Sequence, residues 1–563
     1  MGGQRQTTEP GEGRVREIER DLIRLVAELP LADRIELARL SRWSERAVYQ
    51  RLAGLQRDGL VEGLAHASEL ISPTRRFLLT ADGIERLALN SGRSREQILA
   101  EHPVSQRWRR LLLGRLDSVA VIYRLASALA DQERPLRLRW YRSQPADAAI
   151  GLPDGRTLAV VRWGRTADRT AFAIRLRRLR EGPSYSGALV LAPDEVRLRH
   201  ARRMLRRSPF ICFFALERDA AWANSDSEVW RGPTAAVGLS LDEVLGYVRP
   251  QGWWAVEPAP RRVILPRSLD VGRHGPATDW LLADRLKPTE KRTLDLVGDW
   301  SWIRADHLAS LLGVARRRVS QLMAGLERQD LLKAHRIEGQ RRLVLSDRGL
   351  ALLARRDRAS VGAARKRWSS TLLDPERPLH WRNLRGRRTR QLLRNLTHTE
   401  AVHAFLAALA EQARAQRCRV TQLDQPQRAS RYFRFEERLR SIQPDAFGVL
   451  HRNGEDQPFF LEWERRAIRP STMAKRIAPY LRYYAARRPV EDHGEIPLVL
   501  VVFEDVLAAD HFRRVAREQM ERADVELPLF VSDQRLLAQH GPLGPGWRDV
   551  YDWQPGIAFS GSG

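Results

Sequence analysis

Three carboxylates and one lysine in the C-terminal part of the chain are spaced like the groups of a metal-dependent nuclease. Asp445 starts an apolar run, and Glu462 and Glu464 lie in the next run, after a turn of the form RNGEDQ. Side chains alternate along a strand, so Glu462 and Glu464 share a face that Asp445 can reach across the hairpin. Three such oxygen ligands suit Mg²⁺ or Mn²⁺, which activate a bound water and stabilise phosphoryl transfer.

Lys475 follows on the next predicted helix, STMAKRIAPYLRYY, and is one of only five lysines in this arginine-rich chain. Its ammonium would stabilise the same developing charge or orient the water, and lysine can change its protonation state whereas arginine cannot. We therefore predict that Lys475, Glu462 and Glu464 are catalytic. The predicted metal ligands are Asp445, Glu462 and Glu464.

The acidic trio has a second interpretation, a structural cluster of ion pairs. In that case the acids would be neutralised by nearby arginines, namely Arg465, Arg466 and Arg469. His398 and His403 lie on the preceding predicted helix without a Glu-flanked zinc pattern. We expect these two histidines to be core or cap residues rather than ligands.

The sequence also contains an internal repeat. Residues 18–87 and 290–354 both predict two helices, an amphipathic third helix, a β-wing and a closing helix. This pattern is typical of a winged helix-turn-helix. Residues 144–165 align with 443–465, and in each copy the order is helix, hairpin, helix, strand, helix, strand. That order predicts an α/β domain with a mixed central sheet.

The two copies differ at the positions of the acids. Asp147 matches Asp445, but Arg162 aligns with Glu462, and Gly164 stands where the second copy has Glu464. Because only the second copy keeps the trio, we predict that it carries any chemistry and that the first copy is degenerate.

The repeat divides the chain into six predicted segments. They are a winged helix-turn-helix (14–92), a degenerate nuclease-like α/β domain (100–250), a linker (251–286), a second winged helix-turn-helix (287–360), a basic connector (361–395) and a nuclease-like α/β domain with the trio (396–556).

Both predicted winged helices carry polar and basic residues where DNA would be contacted. Segments 44–59 and 315–330 are the predicted recognition helices, whose N-terminal ends reach base edges in the major groove. The predicted wings, 71–77 and 337–343, carry paired arginines suited to phosphates. The predicted DNA-binding residues are Arg46, Tyr49, Gln50, Arg51, Arg75, Arg76, Arg316, Arg317, Arg318, Gln321, Arg341 and Arg342.

The composition agrees with a nucleic-acid partner. The 563 residues carry a formal net charge of +27, which calls for an anionic partner or counter-ions. A genome bias towards arginine would explain Arg over Lys, but not the excess of base over acid.

No apolar run approaches the ~20 residues of a membrane span, and the N-terminus lacks the apolar core of a signal peptide. We expect a cytoplasmic protein without a membrane partner, and two cysteines exclude a disulfide framework.

At the trio the sequence resembles the PD-(D/E)xK nuclease superfamily. Pro444-Asp445 supplies the PD and Glu462 the second acid, whereas Glu464 stands where the lysine is usual, so that Lys475 would be a migrated lysine. The segment from His398 to Phe405, followed by PDA, FFLEWER and Lys475, more closely resembles the plasmid replication-relaxation family. That resemblance covers roughly 290–535, and more faintly 18–205.

This resemblance implies a winged-helix protein of plasmids or integrative elements with a restriction-endonuclease-like α/β fold. We expect it to bind double-stranded DNA near the bacterial nucleoid or plasmid, together with other mobile-element replication or transfer proteins. Metal-dependent nicking or cleavage by the C-terminal domain remains one open hypothesis. The alternative is a non-catalytic accessory factor or transcriptional regulator that binds DNA and needs no cofactor.

Overall fold

The computed structural model divides the chain into two compact units. The first contains residues 1–291 and 351–361, and the second contains residues 292–350 and 362–563. Described are residues 10–134, 136–183, 185–234, 237–250, 254–257, 263–269, 279–464, 469–552, 554–556 and 558–559. Much of the predicted linker, 251–286, therefore lies outside the described residues.

The first unit begins with helices and a two-stranded antiparallel sheet. These elements are α1 (Pro10–Glu28), α2 (Arg34–Leu40), α3 (Glu45–Arg57), β1 (Val61–His66), β2 (Thr74–Leu79) and α4 (Ala81–Ser91). Asp33 forms a capping box with Glu36 at the start of α2, and Ser44 caps α3. Val48 and Leu52, about one helical turn apart on α3, are buried in the core.

A seven-stranded sheet forms the rest of the first unit. Three helices precede its main strands: α5 (Arg95–Glu101), α6 (Gln106–Leu113) and α7 (Leu116–Ala130). The strands lie in chain order: β3 (Arg137–Trp140), β4 (Ala148–Gly151), β5 (Thr157–Arg162), β6 (Gly187–Ala192), β7 (Ile211–Leu216), β8 (Trp230–Arg231) and β9 (Gly238–Leu239). The remaining helices are α8 (Arg169–Glu181), α9 (Glu195–Leu205), α10 (Glu217–Ala220), α11 (Leu241–Tyr247) and α12 (Leu282–Arg285).

The next elements have a similar order, with a three-stranded sheet in place of two strands. They are α13 (Pro288–Asp299), β10 (Ile303–Arg304), α14 (Ala305–Leu312), α15 (Arg316–Arg328), β11 (Leu332–Ile337), β12 (Gln340–Leu345) and α16 (Asp347–Arg356). Gly313 ends α14 with a φ of 70°, a left-handed conformation that glycine adopts without a steric penalty. This residue makes the sharp turn into α15.

A six-stranded sheet dominates the second unit. It has the order β13 (Arg419–Asp424), β16 (Ala446–Arg452), β17 (Glu455–Glu464), β18 (Leu498–Phe503), β19 (Leu529–Asp533) and β20 (Arg548–Asp549), while β14 (Arg431–Phe435) and β15 (Arg438–Ile442) form a separate hairpin. Before it lie α17 (Val361–Trp368), a 3-10 turn (Trp381–Asn383), α18 (Arg387–Arg394) and α19 (Leu396–Ala415). The other helices are α20 (Pro426–Ala429), α21 (Pro470–Ala485), α22 (Arg488–His493), α23 (Val506–Ala523) and α24 (Gln534–His540).

The two large sheets share one pattern of strand pairing. In each, the first two pairings are antiparallel, the next two are parallel, and the following one is antiparallel again. Right-handed crossovers through helices are the usual way to join such parallel strands. The chain is thus a mixed α/β protein, which is the fold class that the sequence predicts at its coarsest level.

Several helices carry polar residues beside buried apolar ones. The 20-residue α19, for example, carries His398, Glu400 and Glu411 among its apolar residues. Within the described residues, no helix combines the length and the apolar character needed to cross a membrane.

Candidate functional site

Asp445 is held at the junction of β16 and β17 in the second unit. Its backbone N–H donates to Leu461 O at 2.9 Å, and its Oδ2 accepts from the Trp463 N–H at 2.9 Å. Ala446 then pairs with Leu461 as β16 begins. The carboxylate is therefore fixed against the β17 backbone at the point where the two glutamates follow.

Glu462 and Glu464 share one face of β17, as the period of two predicts. The intervening Trp463 is on the opposite face and packs against Phe405 of α19, with ring centroids 6.5 Å apart. Glu464 is buried, and Glu462 is partly buried. The strand thus places two carboxylates where a core residue is usual.

Each acid of the trio has a polar partner from a neighbouring element. The Tyr480 hydroxyl donates to Glu462 Oε1 at 2.6 Å, and Arg476 Nε lies 3.0 Å from Glu464 Oε1. His398 Nε2 lies 2.9 Å from Asp445 Oδ1. Two partners come from α21 and the third from α19.

The environment favours protonated glutamates. Burial raises the pKa of Glu462 well above its usual value, and the nearby charge of Asp445 raises it further, although the Tyr480 hydrogen bond opposes both effects. Burial also raises the pKa of Glu464, against the lowering effect of Arg476. The trio is therefore short of compensating positive charge.

A small cavity opens between this face of the sheet and helices α21 and α23. Its free volume is about 20 Å³, enough for about one water molecule. Glu462, Glu464, Arg476 and Tyr480 form its polar part. Its apolar part consists of Met473, Ile477, Val499, Val501, Phe503, Phe512, Leu527 and Leu529.

The acids do not form a metal site in this arrangement. Among the described residues, no three His, Cys, Asp or Glu side chains are grouped so that they could hold a metal ion. Glu462 and Glu464 instead turn towards Tyr480 and Arg476. The donor set as it stands does not fit the octahedral shell that Mg²⁺ demands.

The predicted role of Lys475 is not supported by its position. Lys475 is exposed, and the next residue, Arg476, lines the cavity and pairs with Glu464. Neighbouring helical residues point about 100° apart, so α21 can direct only one of the two towards the trio. Arg469 is exposed at the start of α21, while Arg465 and Arg466 lie outside the described residues.

Strand register corrects the comparison between the two sheets. Ala148 pairs with Val160, just as Ala446 pairs with Leu461, so Val161 occupies the place of Glu462. By the same count Trp163, rather than Gly164, occupies the place of Glu464. Since the sequence comparison is one residue out, Arg162 is wrong as the counterpart of Glu462.

The corresponding site of the first unit is apolar on one side and filled with ion pairs on the other. Val161 and Trp163 are buried beneath α8 and α9. Asp147 binds Arg175 Nη2 at 2.5 Å and Arg358 Nη1 at 3.0 Å. The first unit therefore keeps the aspartate but pairs it with guanidinium groups.

The predicted recognition helix of the second unit exposes its basic residues. Arg316, Arg317, Arg318 and Gln321 of α15 are all exposed, whereas Val319 and the other apolar residues of the helix face the core. At about 100° per residue, Arg317 and Gln321 lie on the side of α15 opposite to the core, and Arg316 and Arg318 flank that side.

In the first unit, α3 is less basic and partly engaged. Arg46 and Gln50 are exposed. Tyr49, however, lies beneath the Arg34 guanidinium at 4.3 Å from its ring centroid, and Arg51 lies 3.4 Å from Glu19.

One arginine of each predicted wing belongs to the core. Arg75 and Arg341 are exposed, but Arg76 is fully buried and Arg342 nearly so. Strand alternation turns the second residue of each pair inwards, where Arg76 meets Glu36 at 2.9 Å and Arg342 meets Glu400 at 2.6 Å. The prediction that Arg76 and Arg342 contact DNA is therefore wrong.

Sequence reasoning assigned no role beside the trio to three residues of the site: His398, Arg476 and Tyr480. The prediction of His398 as a core or cap residue is wrong, since it is only partly buried and contacts Asp445. The phase of α21 offered a signal, because Met473, Ile477 and Tyr480 recur at helical spacing and define its inner face.

These elements define a mixed α/β protein with a partly buried acidic cluster in its second sheet and exposed arginines around the first turn of α15. Residues 294–499, just over a third of the chain, match the replication-relaxation family. No curated protein and no solved structure gave a match.

Proposed function

We propose that the protein binds double-stranded DNA of a plasmid or other mobile element and takes part in its replication or mobilisation. The observation that carries this proposal is the exposure of three arginines, Arg316, Arg317 and Arg318, around the first turn of α15. The same helix lies within the segment that matches the replication-relaxation family.

The electrostatics of α15 favour an anionic partner. The N-terminus of a helix carries a partial positive charge, which acidic residues or side-chain caps usually offset. Here the first turn has no acidic residue, and Ala315 provides no side-chain cap. Three guanidinium groups add to the helix dipole, so phosphate groups would relieve a local excess of positive charge.

By contrast, the partial positive charge at the N-terminus of α3 is offset in the usual way, by a side-chain cap and an acidic residue. Ser44 accepts a hydrogen bond from the Ala47 N–H, and Glu45 lies in the first turn. We infer that α15 is the principal DNA-contacting helix and that α3 contributes less.

The surrounding elements support a winged-helix interpretation in each unit. α14, the Gly313 turn and α15 would form the helix-turn-helix, with β11 and β12 as the wing. Such folds insert the second helix into the major groove, while wing residues contact phosphates. Arg341, exposed near the tip of the wing and 2.5 Å from Glu327, is suited to that second role.

An ancestral duplication accounts for the two sheets. They share their order of pairings, and a buried arginine follows an exposed one in the strands β2 and β12. We infer that the first unit is a diverged winged helix with an endonuclease-like domain, and that the second unit keeps the acidic version.

The salt dependence of duplex binding tests the proposal. Each phosphate contact contributes about 0.9 to the slope of log K against log salt. Replacing Arg317→Ala and Arg318→Ala together should lower the slope by about two and weaken binding to all duplexes. The matched control replaces two exposed arginines of other helices, Arg177→Ala and Arg517→Ala, and should leave the slope unchanged. Equal effects of both double variants would contradict the proposed interface.

Metal-dependent DNA cleavage is the second candidate function. It is favoured by the repulsion between Asp445 and Glu462, which a divalent cation would relieve. Cleavage would require Glu462 and Glu464 to leave Tyr480 and Arg476, since the observed arrangement does not fit Mg²⁺ or Mn²⁺. The observed contacts are explained more simply by a non-catalytic accessory factor or regulator.

Nicking of supercoiled plasmid distinguishes metal-dependent cleavage from non-catalytic DNA binding. Metal-dependent nicking that is lost in Glu462→Gln, but not in Glu455→Gln at the exposed start of the same strand, would establish the enzyme. Absence of nicking, together with intact duplex binding, would leave the DNA-binding factor.

A further inference from the structure

We infer that the second unit also binds single-stranded DNA, through two solvent-accessible aromatic residues with basic neighbours, Trp381 and Tyr432. This inference goes beyond duplex binding by α15 and uses other residues. It rests on the combination of aromatic rings with guanidinium groups, which is how sequence-tolerant single-strand sites are built.

Trp381 lies in a stack of cationic groups at the protein surface. The indole is only partly buried, and the guanidinium carbons of Arg382 and Arg394 lie 4.9 and 5.2 Å from its ring centroid. His380 adds a further ring at 5.4 Å. Guanidinium planes stack on aromatic rings and on nucleobases alike, so this stack can be extended by a base.

Helix α18 supplies a basic face beside Trp381. Leu392 and Leu393 pack on the core around Trp302, while Arg387, Gln391 and Arg394, spaced by one helical turn, are exposed. The apolar side anchors the helix, and the opposite side presents charges that suit a phosphate backbone.

The β14–β15 hairpin adds a second exposed ring. Phe433 turns inwards and packs edge-to-face against Tyr483, with centroids 5.2 Å apart, so the neighbouring Tyr432 and Arg434 turn outwards. Tyr432 is 51% exposed, and it belongs to the same unit as α18. The hairpin therefore adds a second exposed ring with a basic neighbour to this unit.

The charge around these two rings selects their partner. An exposed aromatic patch without charge would suit a protein, but here basic residues accompany both rings. A paired duplex hides its base faces, whereas a single strand exposes base faces and phosphates together. Single-stranded DNA, as arises when a replication origin opens, is the ligand with that combination.

Binding of the full-length protein to fluorescein-labelled oligo-dT of 20 nucleotides tests the inference. Stacking contributes about 1–3 kcal/mol per base, which corresponds to at least a five-fold loss in affinity when the ring is removed. We expect that loss for Trp381→Ala and for Tyr432→Ala, with duplex affinity changed less than two-fold. Trp381→Phe and Tyr432→Phe should keep most of the affinity, since a ring remains.

The control is Trp222→Ala, which removes a tryptophan that is 65% exposed in the first unit. It should bind oligo-dT like the wild type. The inference fails if the wild type does not bind oligo-dT, if neither alanine variant loses affinity, or if duplex and single-strand affinities fall together. Loss of duplex binding in the α15 variants with oligo-dT binding retained would separate the two interfaces.

Discussion

The Tyr480 hydroxyl lies 2.6 Å from Glu462 Oε1 and is the polar contact that α21 makes with this strand residue. The contact joins a buried phenol to a partly buried carboxylate. Burial and the Glu462 charge raise the pKa of Tyr480 well above its usual value, so the phenol is a hydrogen-bond donor rather than an ionised nucleophile. Tyr480 thus positions Glu462 and limits its freedom to approach Asp445.

Removal of that hydroxyl should destabilise the second unit. In Tyr480→Phe the ring remains but the Glu462 carboxyl oxygen loses its donor, and leaving a buried acceptor unsatisfied costs about 1–3 kcal/mol. Urea unfolding should show the decrease near neutral pH. Tyr551→Phe, at a tyrosine that is 54% exposed, should have no such effect. An unchanged midpoint in Tyr480→Phe would show that the hydrogen bond contributes nothing to folding.

The raised pKa of Glu462 makes stability fall as pH rises. A carboxyl that binds its proton more tightly in the folded state stabilises the fold below its unfolded pKa and loses this contribution as pH rises towards the folded pKa. Glu462→Gln should therefore be more stable than the wild type at pH 8 and nearly equal at pH 4. Calorimetric melting at both pH values measures the difference, with Glu455→Gln as control. The raised pKa would be contradicted if the wild type became more stable relative to Glu462→Gln between pH 4 and pH 8.

Asp357 should give the opposite pH response in the first unit. Its carboxylate accepts hydrogen bonds from the Thr166 N–H and hydroxyl, both 2.8 Å, and lies 3.0 Å from Arg162 Nη1. The pKa of Asp357 is lowered: burial would raise it, but the charges of Arg356 and Arg162 outweigh burial. A lowered pKa gives stability above the unfolded pKa that is lost as pH falls.

Asp357→Asn tests this response. The variant should be less stable than the wild type at pH 7, and the difference should shrink on acidification through about pH 3. Urea midpoints across this range measure it, and Asp58→Asn at an exposed position is the control. A difference that stays constant with pH would mean that Asp357 is not ionised in the folded state.

The two arginines of strand β2 should separate stability from DNA binding. Arg76→Ala leaves Glu36 buried without its main partner, and breaking a buried ion pair costs about 3–5 kcal/mol. Arg75→Ala should change stability by less than about 0.5 kcal/mol but reduce the salt slope of duplex binding by about one. Urea unfolding and fluorescence anisotropy provide the two measurements. If Arg75→Ala changes neither the stability nor the salt slope of duplex binding, strand β2 does not contact DNA.

Much of the fold was predictable because it depends on local patterns. Apolar spacing indicated the helices that became α3 and α15, and the period of two placed Glu462 and Glu464 on one face. The phase of α21 around its axis was not predictable from Lys475 alone, because packing of Met473 and Ile477 decides which neighbouring residue meets the trio.

The buried charges were harder to predict. Arg76 and Arg75 are identical in type, and only the side of the strand that meets the helices distinguishes them. His398 reaches Asp445 across 47 positions of sequence, so no local pattern connects the two residues.

The sequence alignment of the two halves is one residue out from the alignment given by strand register. This difference has a practical consequence for protein engineering. A graft guided by the letters of the sequence would place glutamate at Arg162 and Gly164, where it would break the ion pairs to Glu217 and Asp357 or collide with Asp357. By strand register, the residues that correspond to Glu462 and Glu464 are Val161 and Trp163. Building an acidic pocket in the first half would therefore mean emptying an apolar core, which one or two substitutions would not achieve.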